Sequence, residues 1–112
     1  MLEVDLEFKK GFLFIRLKGE LTKKTLKDMK KEVTELIQDN KIRNVVFNVN
    51  CLEKIDSKGM RALYENYRFC QTIDGNVFLL TKYSKVSKKI QNNILSHFMK
   101  QLPNETSAFA YI

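Results

Sequence analysis

The sequence predicts a single α/β domain: a mixed, mostly parallel sheet of four to five strands, helices packed on that sheet, and an antiparallel hairpin at the N-terminus. Three observations lead to it. Leu2, Val4, Leu6 and Phe8 alternate with Glu3, Asp5 and Glu7, a period of two that belongs to a half-buried strand, and Lys10-Gly11 separates this strand from a second apolar run. Beyond that hairpin, β-rich runs alternate with segments of helical periodicity, which implies crossover connections and parallel pairing. The four Gly and one Pro stand singly among 112 residues, so no linker or repeat divides the chain and one domain spans positions 1–112.

Each element has its own signal. The second strand is Phe12 to Lys18, closed by Gly19-Glu20-Leu21. Thr22 or Lys23 opens the first helix, with a Thr22 or Thr25 hydroxyl available to its first turn. Leu26, Met29, Val33, Leu36 and Ile37 fall on one helical face, and Asn40 is a stop. Val45 to Val49 is a short third strand, followed by a loop into Ile55-Asp56-Ser57. The second helix carries Met60, Leu63, Tyr64, Tyr67 and Cys70 on its apolar side. Asp74-Gly75 is a turn, and Val77 to Leu80 the fourth strand. Ser84 caps a third helix with Val86 and Ile90 that ends near Ile94-Leu95. Asn104 caps a last short helix with Ala108, Phe109 and Ile112 on its apolar side.

Composition excludes several classes. A chain of 112 residues buries about 65% of its unfolded surface and needs no metal or disulfide staple. The apolar runs Phe12 to Ile15 and Val77 to Leu80 fall far short of the ~20 residues of a spanning helix, so membrane insertion is not expected. Met1-Leu2-Glu3-Val4-Asp5 lacks the basic and apolar regions of a signal peptide. Two cysteines, Cys51 and Cys70, make no disulfide framework, and the single His97 has no Cys or acidic ligand partner near it. A reduced, cytoplasmic protein with no metal and no cofactor is the expectation.

Charge raises a different question. Lys and Arg number 20 against 13 acids, a net +7. One lysine cluster is Lys23, Lys24, Lys27, Lys30 and Lys31, and another is Lys82, Lys85, Lys88, Lys89 and Lys100. A polyanion-binding stripe and a solvated lysine face both fit this pattern. Few arginines and no nucleic-acid motif favour the solvated face over a nucleic-acid partner.

In a parallel sheet, ligands and partners meet the carboxyl ends of the strands. Three loops are expected there: Gly19 to Lys24, Asn50 to Gly59 and Thr81 to Lys85. The stretch Asp56-Ser57-Lys58-Gly59-Met60 is the most informative. Ser57 has two readings. It is a favoured helix cap, as is Asp56. It is also placed to accept a phosphate, which would bring about −1.5 to −2 charges to a helix start with little change in backbone. On the second helix, Lys58, Arg61, Ala62, Glu65 and Arg68 share a solvent face by spacing, and Arg61 and Glu65 are i,i+4 neighbours. No nucleophile–base pair, phosphate-cradling Gly-rich loop or carboxylate dyad marks an enzyme.

The order "FLFIRLKGEL", a helix, "IRNVVFNV", "KIDSKGM" and "DGNVFLL" resembles the STAS domain family, and within it the bacterial anti-sigma factor antagonists of sporulation and stress-response partner switching. Gly19, Glu20 and Leu21 match the family's Gly-Glu-Leu after the second strand. Asp56, Ser57, Lys58, Gly59 and Met60 match its central Asp-Ser-x-Gly-Leu, and Gly75 its glycine before the next strand. The resemblance implies a cytoplasmic, STAS-like binding protein rather than an enzyme. It implies that the unmodified antagonist binds an anti-sigma factor that is also a serine kinase of the histidine-kinase-like ATPase fold, and so frees the sigma factor. It further implies that the kinase phosphorylates Ser57 and that a metal-dependent serine phosphatase reverses this. The expected partner-binding residues are Thr22, Lys23, Lys24, Asp56, Lys58, Gly59, Met60, Arg61, Ala62 and Glu65. The chain departs from the family at two of them. Thr22 stands where an acidic residue is usual and Lys58 where a small one is, and both make the docking face more basic. Two alternatives stay open: an unphosphorylated STAS adaptor in a stressosome-like or transport complex, and a basic polyanion-binding domain.

Overall fold

Lys10 and Gly11 both adopt positive φ, 51° and 85°, the backbone that a two-residue hairpin turn requires. They close β1 (Leu2–Lys9) onto β2 (Phe12–Leu21) with Lys9 opposite Phe12. The computed structural model describes residues 1–81, 85–93 and 97–111. Its remaining strands are β3 (Asn44–Ile55), β4 (Asn76–Leu80) and β5 (Lys100–Gln101). The sheet order is β1-β2-β3-β4-β5, antiparallel between β1 and β2 and parallel throughout the rest. The architecture is therefore the single α/β domain that the sequence predicts, at the upper end of its strand count.

Both faces of the central strands are covered, whereas Leu6 and Phe8 of the edge strand β1, expected on its buried side, are exposed. Leu13, Ile15, Leu17, Val45, Phe47, Val77 and Leu79 point to the helical face. Phe12, Phe14, Val46, Phe78 and Leu80 point to the other, where Leu102, Ala108 and Phe109 pack on them. Two buried faces explain why these strands read as unbroken apolar runs.

The first helical segment begins with a 3-10 turn, Lys23–Thr25, continues as α1 (Leu26–Met29), widens to a π-turn (Lys30–Thr34) and ends as α2 (Glu35–Asp39). Thr25, Met29, Val33 and Ile37 are its buried residues, spaced four apart. A strict α-helix of 3.6 residues per turn would rotate such a row out of the core. The i→i+5 turn widens the helix at mid-length and keeps the row facing the sheet. Leu26 and Leu36, expected on that face, are half-buried at its edges.

The largest difference from the sequence reading is β3. It runs to Ile55, through residues expected to form a loop. Its register against β2 slips twice, between the Arg16 and Lys18 pairs and between the Gly19 and Glu20 pairs. Each slip places an extra residue in β3. Buried side chains therefore fall at Val49, Leu52 and Ile55, a spacing of three. Bulges break the period of two, so a strand signal based on that period stops at Val49.

The second helix of the sequence reading is α3 (Ser57–Thr72). It buries Met60, Leu63 and Cys70 as expected, and also Asn66, which polarity had hidden. Next comes α4 (Lys85–Gln91), while the expected Ser84 cap and Ile94-Leu95 end lie outside the described residues. The last helix, Glu105–Tyr111, is a 3-10 helix. Asn104 Oδ1 accepts from Ser107 N–H at 3.0 Å, as expected of its cap, and Ile112 lies outside the described residues. Arg16 ties this helix to the sheet, with Nε and Nη2 donating to the Glu105 carboxylate at 2.9 and 2.8 Å. The three carboxylates around Arg16, first among them Glu105, then Glu7 and Asp5, hold its pKa well above the ordinary arginine value.

Candidate functional site

The extension of β3 leaves Asp56 as the sole residue between it and α3. The expected Asn50–Gly59 loop is thus a tight corner, and the corner fixes every group in it. Asp56 is the N-cap of α3, its Oδ1 accepting from Gly59 N–H at 2.8 Å. Its Oδ2 accepts from Lys23 N–H at 2.9 Å, at the start of the first helical segment. One carboxylate therefore caps α3 and also binds the first N–H of the preceding helical segment. Burial pushes the Asp56 carboxyl up, but the backbone hydrogen bonds from Lys23, Gly59 and Lys58 outweigh it and hold the carboxyl below its ordinary value of 3.8.

The cap of α3 is Asp56 and not Ser57, so the capping reading of Ser57 is not what the structure shows. Ser57 is the first residue of α3 and is exposed. Its hydroxyl makes no hydrogen bond among the described residues. The cap is Asp56, and Ser57 is left with its oxygen toward solvent at the rim of a shallow depression.

Gly59 is required by the close approach of α3 to β2. A Cβ placed there would lie 2.1 Å from Leu21 O and 2.8 Å from Leu21 C, and a backbone atom cannot swing aside. Asp56 N–H also donates to Leu21 O at 3.4 Å. The end of β2 thereby sets the height of the Ser57 corner.

Thr22 is buried at 5% exposure and serves its own loop. Its Oγ1 accepts from Lys24 N–H at 3.3 Å, and Thr22 N–H donates to Thr25 Oγ1 at 3.0 Å, a capping box built from two threonines. Its hydroxyl also donates to Glu20 Oε1 at 3.1 Å. Thr22, Gly59 and Met60 were expected at a partner surface. All three are buried, so they shape the corner from inside and present no outer side chain. Ala62, expected on the solvent face of α3, is half-buried because it packs against the core.

Lys23, Lys24, Lys58, Arg61 and Glu65 are exposed, and they form the outer surface with Ser57. The Arg61–Glu65 pair suggested by their spacing does not form. Two depressions flank Asp56. One, of about 190 Å³, is lined by Glu20, Thr22, Lys23, Lys24, Lys54 and Asp56. The other, of about 250 Å³, is lined by Ile55, Asp56, Ser57, Met60, Lys89 and Asn93. Further along α3, Ala62 and Glu65 border a groove of about 360 Å³ whose other wall includes Leu26, Met29 and Lys30.

Lys89 was missed as a site residue. It lies on α4, and its Nζ donates to Ile55 O at 3.4 Å. In the sequence it is one lysine of a run. Only the crossover that lays α4 beside the end of β3 brings it to the corner. Lys54 was missed for a related reason, since it belongs to the part of β3 that was read as loop. Among the described residues no helix is long and apolar enough to cross a membrane.

The corner sits in a known setting. The STAS domain model matches residues 3–108 of the chain. The anti-sigma F factor antagonist of Paenibacillus polymyxa is 24% identical over 107 residues, covering 96% of this chain and 92% of that protein. The structure of an anti-sigma factor antagonist from Mycobacterium paratuberculosis superposes with a TM-score of 0.86 at 15% identity, covering 100% of this chain and 94% of that one. The Bacillus cell fate determinant SpoIIAA in its phosphorylated form superposes with a TM-score of 0.72 at 22% identity, covering 97% and 98%. With the family model spanning nearly its whole length, and a sheet order and helix placement to match, this chain belongs to the STAS domain family.

Proposed function

We propose that this chain is an anti-sigma factor antagonist that works by partner switching, as a stoichiometric binding protein and not as an enzyme. Unmodified, it binds an anti-sigma factor that is also a serine kinase of the histidine-kinase-like ATPase fold, and the sigma factor is released. The contact surface is the exposed set around the corner: Lys23, Lys24, Ser57, Lys58, Arg61 and Glu65. The kinase then modifies Ser57. The Ser57 Oγ attacks the γ-phosphorus of ATP, the new O–P bond forms as the bond to the β-phosphate oxygen breaks, ADP leaves, and the hydroxyl proton passes to a base of the kinase. The added charge and bulk remove fit at the centre of the contact and the complex separates. A serine phosphatase restores the binding form.

The observation that carries this reading is the division of labour between Asp56 and Ser57. Asp56 caps α3 and also accepts Lys23 N–H beside the Thr22–Thr25 box, so Ser57 keeps an exposed hydroxyl with no hydrogen-bond partner among the described residues, on a corner held from both sides. Modification there changes the surface without undoing the fold.

The test is incubation with the anti-sigma factor kinase of the same organism, ATP and Mg²⁺, read by intact mass and by peptide mapping. One phosphate on Ser57, absent from Ser57→Ala, is expected. Phosphate on another residue, or none, rejects the switch and leaves the adaptor reading in its place.

A further inference from the structure

We propose that Lys89 is the intramolecular counter-cation of phosphorylated Ser57, held ready by α4 in the depression that Ser57 borders. The inference rests on the reading above in one respect only, that Ser57 carries a phosphate. Lys89 and Ser57 line the same depression of about 250 Å³, from separate elements. Lys89 Nζ is already drawn to this place by Ile55 O, at 3.4 Å, and Ile55 lies two residues before Ser57. That is a long, neutral-acceptor hydrogen bond. A phosphate oxygen offers the same ammonium a shorter, charge-assisted one.

Asp56 makes such a cation necessary. Its carboxylate already holds the N–H groups of Gly59 and Lys23, so the first turn of α3 is occupied by an anion. Hydrogen bonds from Lys23, Gly59 and Lys58 keep that carboxyl ionised. A phosphate on Ser57 is therefore a second anion beside a first one, and the pair repels unless a cation intervenes.

Among the described residues, the charged groups near the corner come from six places: Asp56 itself, Glu20 from β2, Lys54 from β3, Lys23 and Lys24 from the 3-10 turn, Lys58 and Arg61 from α3, and Lys89 from α4. Lys23, Lys24 and Lys54 line the depression on the other side of Asp56. Lys58 follows Ser57 directly in the helix, and consecutive helical residues do not face each other. Of the cations among the described residues, Lys89 lines the Ser57 depression. Pairing with it holds the phosphate against α4, so the modified corner presents less net charge than a solvated phosphoserine would. Release of the partner then depends more on the blocked contact than on long-range repulsion.

The test uses the whole chain with phosphoserine installed at position 57 by codon suppression, so no kinase is involved. Its second ionisation, ordinarily near about 6, is followed by ³¹P NMR with Lys89 intact, in Lys89→Gln and in Lys89→Arg. Removing a cation favours the protonated form. Lys89→Gln is expected to raise this pKa by about 0.3 to 0.7 unit, and Lys89→Arg to bring it back. An equal pKa in all three overturns the proposal, as does a shift that follows Lys58→Gln instead. The two readings fail separately: a kinase that leaves Ser57 unmodified rejects the switch without touching this titration, and a flat titration rejects Lys89 alone.

Discussion

Asp56 Oδ2 accepts the backbone N–H of Lys23 at 2.9 Å, across 33 residues of sequence. The bond joins the start of the first helical segment to the corner that begins α3, and the other oxygen of the same carboxylate caps α3 itself. Two loops that carry the exposed candidate residues are thus held by one side chain. Replacing it by Ala removes the α3 cap and the bond to Lys23. Asp56→Ala is expected to lower the unfolding free energy by about 1–2 kcal/mol, measured as a shift of the urea midpoint at unchanged m-value. A variant as stable as the parent would show that the corner is held without these two bonds.

Acid should reveal the same group. Asp56 and Glu105 both have folded-state pKa values below ordinary, Asp56 through the backbone bonds that outweigh burial, Glu105 first through its hydrogen bonds from Arg16, against a smaller opposing effect of burial. The unfolded chain then binds more protons than the folded one as pH falls through the carboxyl range. The stability that these groups supply is complete above their unfolded values and is lost as pH drops through their folded ones. Urea midpoints taken between about pH 6 and 2 are expected to fall, and to fall less steeply in Asp56→Asn. An equal slope in parent and variant would remove Asp56 from the linkage.

Gly59→Ala tests the approach of α3 to β2. The new Cβ meets Leu21 O at 2.1 Å, where only backbone could yield. A loss of about 1–3 kcal/mol is expected from overpacking, together with amide shifts at Ser57 and Leu21 in ¹⁵N correlation spectra. An unperturbed spectrum would contradict the geometry.

Arg16 is the hub of the opposite face. It bonds to Glu105, Glu7 and Asp5, with N–O distances of 2.7 to 2.9 Å, and Asn48 Nδ2 donates to Glu105 Oε2 at 2.9 Å. Arg16→Gln is expected to loosen the helix Glu105–Tyr111 first, since its anchor is there. Hydrogen exchange should speed at Ala108 and Phe109 while β3 amides stay protected. The effect should shrink in about 1 M salt, because the group is partly exposed and screened.

The two thiols should differ in reactivity. Cys51 is exposed, whereas Cys70 is buried and its pKa is pushed up to about 11 by burial. Iodoacetamide near pH 8 is expected to add one label, at Cys51, with a second at Cys70 after unfolding in urea. Equal labelling of the native protein would contradict the packing of Cys70 against the core.

The sequence by itself determined the fold class, the hairpin, the start of α3 and the position of Ser57. Those features have local causes: a turn that needs positive φ at Lys10 and Gly11, apolar periods of two and of helical type, and an Asp-Ser pair before a helical run. Tertiary structure decided the rest. Residues 50–55 are strand because two bulges let Leu52 and Ile55 face the core, and no local period announces a bulge. Thr22 is interior because neighbouring elements close over it. Asp56, not Ser57, became the cap, although both residue types favour that role. Lys89 joined the Ser57 corner because a parallel crossover carries α4 to the carboxyl end of β3. Short-range sterics and side-chain patterning are written along the chain. Which lysine meets which serine is decided by packing of segments distant in sequence, and that exists only once the sheet has formed.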